Sequence, residues 1–346
     1  MEGVENKGFK TTLKVLCLFF FIFTIAISTK LFVGDIYKIP SSSMNSTLYS
    51  GDVILVNKLK YGPKLPRSPF EIPLVNISLY FNKKAKERIK ENWWAYKRLS
   101  GLSQVKQGDI FVFSLGLSRN FFVVKRCSGL PGDTLQIKNG KVYTNGNLYN
   151  ETDNIMNSFE FRIENRQLLH KQLDSLSIST YINYSQPKTG TAILSKKEAN
   201  LFQGFTSISD FQLKIDTFDV KKTVLRASEH NKWTYDNMGP IVIPKKGMTI
   251  ALKPSVALLY GEIMKLHEKN PVEIKDDRCY IYGQEKSSYT FKQNYYFMMG
   301  DNRKKTIDSR SWGFLPEENI IGKVQCVLWS NYQDKFQWER LFKAVD

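Results

Sequence analysis

Three serines stand together in Ile39-Pro40-Ser41-Ser42-Ser43-Met44-Asn45-Ser46-Thr47-Leu48, a few residues beyond an apolar N-terminal run. A serine hydroxyl becomes a nucleophile only with a base beside it. Histidine is scarce: His170, His230 and His267 all fall in the least motif-like part of the chain, which argues against a Ser/His/Asp arrangement. Ser46, not lysine, stands three residues after Ser43, so the S-x-x-K pattern is absent too. The remaining base is a lysine from elsewhere in the chain. Its amine must be neutral near pH ~7, and burial achieves that by disfavouring the charged form. Lys125 follows Phe121-Phe122-Val123-Val124, at the end of a predicted core strand, and is the best candidate. By its local pattern alone it also fits an exposed lysine at a strand end.

A third segment, Met299-Gly300-Asp301-Asn302-Arg303-Lys304-Lys305-Thr306-Ile307-Asp308-Ser309-Arg310-Ser311-Trp312-Gly313, packs charges densely beside an apolar strand. This suggests a rigid turn held by ion pairs and side-chain bonds; an ordinary surface loop fits the same local pattern.

The elements around these segments are mostly short strands. Gly51-Asp52 is a turn signal ahead of Val53-Ile54-Leu55-Val56, and strands follow at Gly108–Phe113 and Phe121–Arg126. Asn139-Gly140 predicts a hairpin. Tyr80 to Leu99 reads as a basic helix containing Trp93, Trp94 and Tyr96, which suits either a membrane interface or a solvated face packed on the domain. The texture changes over 147–293, where a capping box at Ser195 and Glu198 and a helix from Ser255 to Glu268 are predicted. This region is expected to be an inserted α+β lobe. The expected catalytic β domain then comprises 35–146 and 294–346.

The N-terminus places Lys7, Lys10 and Lys14 before a run that is apolar on every face, from Val15 through Phe19-Phe20-Phe21-Ile22-Phe23. Residues 11–33 are expected to form one transmembrane anchor, its flanking lysines snorkelling to the interfaces. The basic end, 1–10, keeps the N-terminus cytoplasmic, and residues after Val33 are exported. Ala26-Ile27-Ser28 also has the small-residue spacing of a cleavage site.

In order along the chain, Ser41–Leu48, Gly51–Lys58, Gly108–Phe113, Lys125–Asp133 and Gly300–Gly313 resemble the five sequence boxes of bacterial type I signal peptidases. The resemblance implies a signal-peptidase-like, mainly β fold with extended antiparallel sheet, and an endopeptidase that removes signal peptides after small residues at −1 and −3. It implies Ser43 as nucleophile, Lys125 as general base, and an oxyanion hole from Ser41 Oγ and the Ser43 N–H. Thr306 matches the hydroxyl that orients the lysine. Asp301, Asp308 and Arg310 match residues supporting the site, and Met44 matches a residue of the substrate wall. No cofactor and no metal are implied. The partners implied are signal peptides of secretory precursors, a phospholipid membrane and the export machinery. The location implied is the outer side of a bacterial cytoplasmic membrane. The chain departs from the family pattern at Ser42, where glycine is common, at Asn45-Ser46, where Met-Pro is common, and at Thr306, where serine is common. It also has one membrane segment where some members have two.

The net charge of +17 suits an anionic partner, phospholipid or nucleic acid. Its dispersal along an exported chain disfavours nucleic acid. Cys17, Cys127, Cys279 and Cys326 form neither a CxxC pair nor a metal-ligand pattern. A maturation protease with one dedicated substrate and a catalytically silent membrane scaffold remain the alternatives.

Overall fold

The computed structural model describes residues 7–73, 94–115, 122–176, 178, 180–217 and 232–345, with Val75, Ile77, Lys84 and Glu87. Helix α1 (Lys7–Ser28) continues through a π-helical turn, Thr29–Val33, directly into strand β1 (Gly34–Lys38). The stretch Lys10–Val33 is 24 residues long with a mean hydropathy of 2.3, and its most apolar window has no buried residue; Lys58 reaches only its far end, at Lys30 O and Val33 O. At 1.5 Å per residue it reaches about 36 Å, more than the ~30 Å of a hydrocarbon core. It is long and apolar enough to cross a membrane. Phe19, Phe20 and Phe21 are exposed on different faces, so only an apolar solvent on all sides suits it.

The main body is β, as expected, and its strand pairs are antiparallel. Strands β1, β2 (Asp52–Asn57), β3 (Ile110–Ser114) and β4 (Phe122–Gly129) join strands from the chain's end in one eight-stranded sheet. Ile320–Ser330 lies between β2 and β3, and Tyr295–Met299 pairs with β4. Sheet periodicity explains the burial. Ile110 and Val112 face one core with Ile54, Val56 and Val327, while Phe111 and Phe113 face another with Cys127, Tyr296 and Met298. Covered on both sides, β3 reads as a continuous apolar run.

The hairpin at Asn139-Gly140 is present, with Lys138 opposite Lys141 and both turn residues at positive φ. The capping box at Ser195 and Glu198 is formed, and a helix spans Pro254–Glu268.

Residues 147–293 do not enclose a single core. Met156–Ile163, Ile182–Gln186, Thr189–Ser195 and Ile208–Leu213 make a four-stranded sheet that buries Phe161, Leu194, Leu169 and Phe202 beneath two helices. The later part packs elsewhere. Met238–Val242 pairs with Thr134–Lys138, and Tyr260 and Met264 share a core with Phe297 and Phe314 beside the main sheet. Sequence texture marks the composition change at 147 but not which core each strand joins.

The helix expected from Tyr80 to Leu99 needs a correction at its end. Lys84 and Glu87 are helical, but Trp94–Leu99 is not: Trp94 N donates to Arg67 O at 2.8 Å and Leu99 N to Pro63 O at 3.0 Å. Pairing with the proline-rich segment 63–67 replaces helical bonds there. The remainder of that stretch, Trp93 included, lies outside the described residues.

Candidate active site

The loop carrying Ser43 is pinned at both ends. Ile39 N donates to Asp52 O at 2.8 Å, and Leu48 N to Met44 O at 2.7 Å. Met44 and Leu48 sink into the core beside Ile54 and Val56. Ser46 adopts φ 77°, sparsely populated for a residue with a Cβ. From the other side, Asn302 N donates to Ser43 O at 3.1 Å and Asn302 Nδ2 to Ser42 O at 3.2 Å.

Strand β4 brings Lys125 to this loop from 82 residues away, opposite Phe111 in the register. Lys125 is only 4% exposed. Its Nζ donates to Ser43 Oγ at 2.7 Å and to Val124 O at 3.0 Å. Burial lowers the amine from its ordinary 10.5 to about 8, against the opposing pull of Asp308 and Asp301. Desolvation wins because both carboxylates are committed elsewhere. Arg126 holds Asp301 through Nε at 2.9 Å and Nη2 at 2.8 Å, and Thr47 Oγ1 donates to the same carboxylate. Arg310 holds Asp308 through Nε and Nη2, both at 2.9 Å, inside a pair that is almost fully buried. This arginine, with two backbone N–H donors, keeps the Asp308 carboxyl below its ordinary value despite burial.

Ser41 Oγ lies 3.3 Å from Ser43 Oγ. Thr306 Oγ1 is buried beside Gly300 and has no hydrogen-bond partner, so it does not bond the lysine amine in this structure. Gly300 is needed for close approach: a Cβ there would stand 2.8 Å from Ser43 O. Met44 is 1% exposed, so it can support a substrate wall from beneath but presents almost no surface of its own. His170 contacts Tyr184, and burial lowers His267 to about 4. His230 lies outside the described residues. No cluster of three potential metal ligands occurs among the described residues.

Sequence reasoning brought together Ser43, Lys125 and the 300–313 turn but missed Asn302 as the clamp on the serine loop. The signal was present in Gly300-Asp301-Asn302-Arg303; its long-range partner was not. Two further ties escaped notice. Glu151 pairs with Arg303, and Asp216 and Asp236 both pair with Lys304, fastening residues 147–293 to the 300–313 turn.

A serine hydroxyl held by a desolvated amine on an antiparallel β framework defines a class: this is a serine peptidase. The sequence profile described as "Signal peptidase, peptidase S26" matches residues 12–185 and 208–329, and the chain belongs to that family. Similar proteins include the signal peptidase I of Buchnera aphidicola subsp. Schizaphis graminum, 27% identical over 96% of this chain and 78% of the relative. The signal peptidase I of Pseudomonas aeruginosa is 24% identical over 91% and 72%, and that of Aquifex aeolicus 22% over 90% and 82%.

Proposed function

We propose that the protein is a signal-peptide-cleaving endopeptidase anchored by α1 in a bacterial cytoplasmic membrane, N-terminus inside, with its β domain on the outer side. Ser43 is the nucleophile and Lys125 the general base. The observation that carries this is the 2.7 Å contact between an amine lowered to about 8 and a serine hydroxyl. With the amine neutral, the bond reverses: Ser43 O–H donates to Nζ, which takes the proton as Oγ attacks the scissile carbonyl. The lysine ammonium then returns that proton to the leaving amine. Ser41 Oγ, 3.3 Å from Ser43 Oγ, and the Ser43 N–H serve as the donors to the oxyanion. Thr306 orients the lysine once substrate closes the site. Asp301, Asp308 and Arg310 hold the turn that supports it.

Two unpaired strand edges support binding of the signal peptide as an added strand. Among the described residues, β1 pairs only with β2, and β4 pairs beyond β3 only from Arg126 onward. Tyr37 of β1 and Phe122 of β4 meet edge to face, so the two edges flank one cleft. Small side chains at −1 and −3, which point to the same face of an extended peptide, suit a cleft of this kind. Anionic lipid and the export machinery are the partners this placement implies.

The test is cleavage of several unrelated secretory precursors by wild type, Ser43→Ala, Lys125→Ala and the double variant. Each single variant should lose cleavage and the double should be no worse, because the pair acts as a unit. Retained activity in Lys125→Ala would exclude this mechanism, and cleavage of one precursor alone would favour a dedicated maturation protease.

A further inference from the structure

The serine loop also borders a second groove. Ser42, Asn45 and Asn302 line one side of a space of about 440 Å³, to which neither β1 nor β4 contributes. Its other wall is the four-stranded inserted sheet. Period-two alternation divides that sheet: Phe161, Leu194 and Ile182 point into its own core, while Ser158, Thr191, Ile193 and Asn183 line the groove, with Ala192 touching both. The sheet is fixed to the catalytic turn by its first residue. Met156 N donates to Asp301 O at 2.8 Å and Arg303 N to Met156 O at 3.0 Å.

Three features say what the groove takes. Asn302 is 2% exposed, and its Oδ1 has no hydrogen-bond partner; Asn45 Oδ1 is likewise buried and unpartnered. Both acceptors lie beneath the wall, so a donor in the groove would satisfy them only with a turn of the two side chains. The strand Ile182–Gln186, which carries Asn183, pairs only with Thr189–Ser195, so among the described residues its outer edge is open. A free strand edge beside unsatisfied acceptors is suited to an extended peptide. Finally, Lys305 is the one charged residue of the lining. It is exposed and, unlike its neighbour Lys304, has no ion-pair partner among the described residues.

We propose that this groove binds the substrate chain on the C-terminal side of the scissile bond, the start of the mature protein, and that Lys305 selects an acidic side chain within its first few residues. The inference rests on Ser43 as the nucleophile. The acyl side of the substrate occupies the cleft between β1 and β4, so the leaving side must run from Ser43 away from those strands. The groove that begins at Ser42 and Asn45 is where it enters. The inserted sheet thereby becomes part of the substrate site.

The test uses full-length enzyme in detergent micelles and three precursors that differ only at positions two to four after the scissile bond, bearing Glu, Gln or Lys. Wild type should show kcat/KM in the order Glu, Gln, Lys, with about a threefold to tenfold span at low ionic strength, the scale of solvent-exposed charge pairs. High salt should shrink the span toward unity. Lys305→Glu should reverse the order. If wild type cleaves none of the precursors, the proposed signal-peptide-cleaving function fails and this proposal with it. If wild type cleaves all three and Lys305→Glu leaves their order unchanged, the groove assignment alone is overturned.

Discussion

Replacing Lys125 with methionine should abolish cleavage and yet make the protein more stable at neutral pH. Burial lowers the amine from 10.5 to about 8, which at 1.36 kcal/mol per tenfold amounts to roughly 3 kcal/mol held against the charged form. Below pH ~8 both folded and unfolded chains carry the proton, so the whole penalty stands. Between pH ~8 and ~10.5 the unfolded chain holds a proton that the folded one has lost, and stability rises with pH through that window. Methionine removes the penalty, keeps the volume and loses hydrogen bonds to Ser43 Oγ and Val124 O, each worth about 1 kcal/mol. The balance is a gain of about 1–2 kcal/mol at pH ~7, a rise in Tm of a few degrees, which shrinks above pH ~8 and becomes a loss of about 1 kcal/mol by pH ~10, where the penalty is nearly gone and the two bonds are still missing. Thermal unfolding of detergent-solubilised wild type and Lys125→Met at pH 7 and 10 measures it. On the proposed mechanism the same tuning sets the rate. At pH ~7 roughly one amine in ten is neutral, against about one in three thousand for an ordinary lysine. Therefore kcat/KM should climb about tenfold per pH unit up to pH ~8 and then level off. A variant destabilised equally at both pH values, or a profile governed only by a group near pH ~4, would refute the reasoning.

Asp308→Ala leaves the Arg310 guanidinium buried without its carboxylate and should cost about 3–5 kcal/mol, read as a large fall in Tm. Thr306→Val should leave Tm unchanged or slightly higher, since its hydroxyl has no partner in the folded chain; if that hydroxyl orients the lysine during turnover, kcat falls while stability does not. The bond between Ser28 and Thr29 lies inside continuous helix running from α1 into the Thr29–Val33 turn. A peptidase cleft that takes extended chain should spare it, so the intact mass of membrane-extracted protein should match the uncut chain, with no species beginning at Thr29.

The parts legible in the sequence were those whose cause is local. An apolar helix declares itself by composition, Asn139-Gly140 by turn chemistry, and Ser195 with Glu198 by capping geometry. Lys125 was singled out because a lysine after four apolar residues is costly to bury, although only its contact with Ser43 separates it from a strand-end lysine. Illegible were the features decided by distant partners. Trp94–Leu99 has helical composition but finds an extended partner at residues 63–67. Met238–Val242 follows the inserted sheet in sequence yet pairs with Thr134–Lys138. Asn302 gave no hint that its amide would reach 260 residues back to Ser42. Such pairings are set by which strand edges remain open during folding, and single-residue propensities do not encode that.

The placement of Asn302 has a consequence for how the enzyme comes into being. Under the proposed topology Ser43 and Lys125 cross the membrane ahead of residues 300–310, which make the turn that seats the serine loop. Until then the loop lacks its clamp and β4 lacks its neighbour Tyr295–Met299. On the proposed mechanism a half-exported chain is therefore an unarmed one. Competence would then wait for residues 300–310, so a molecule still being threaded through could not sever itself or its neighbours.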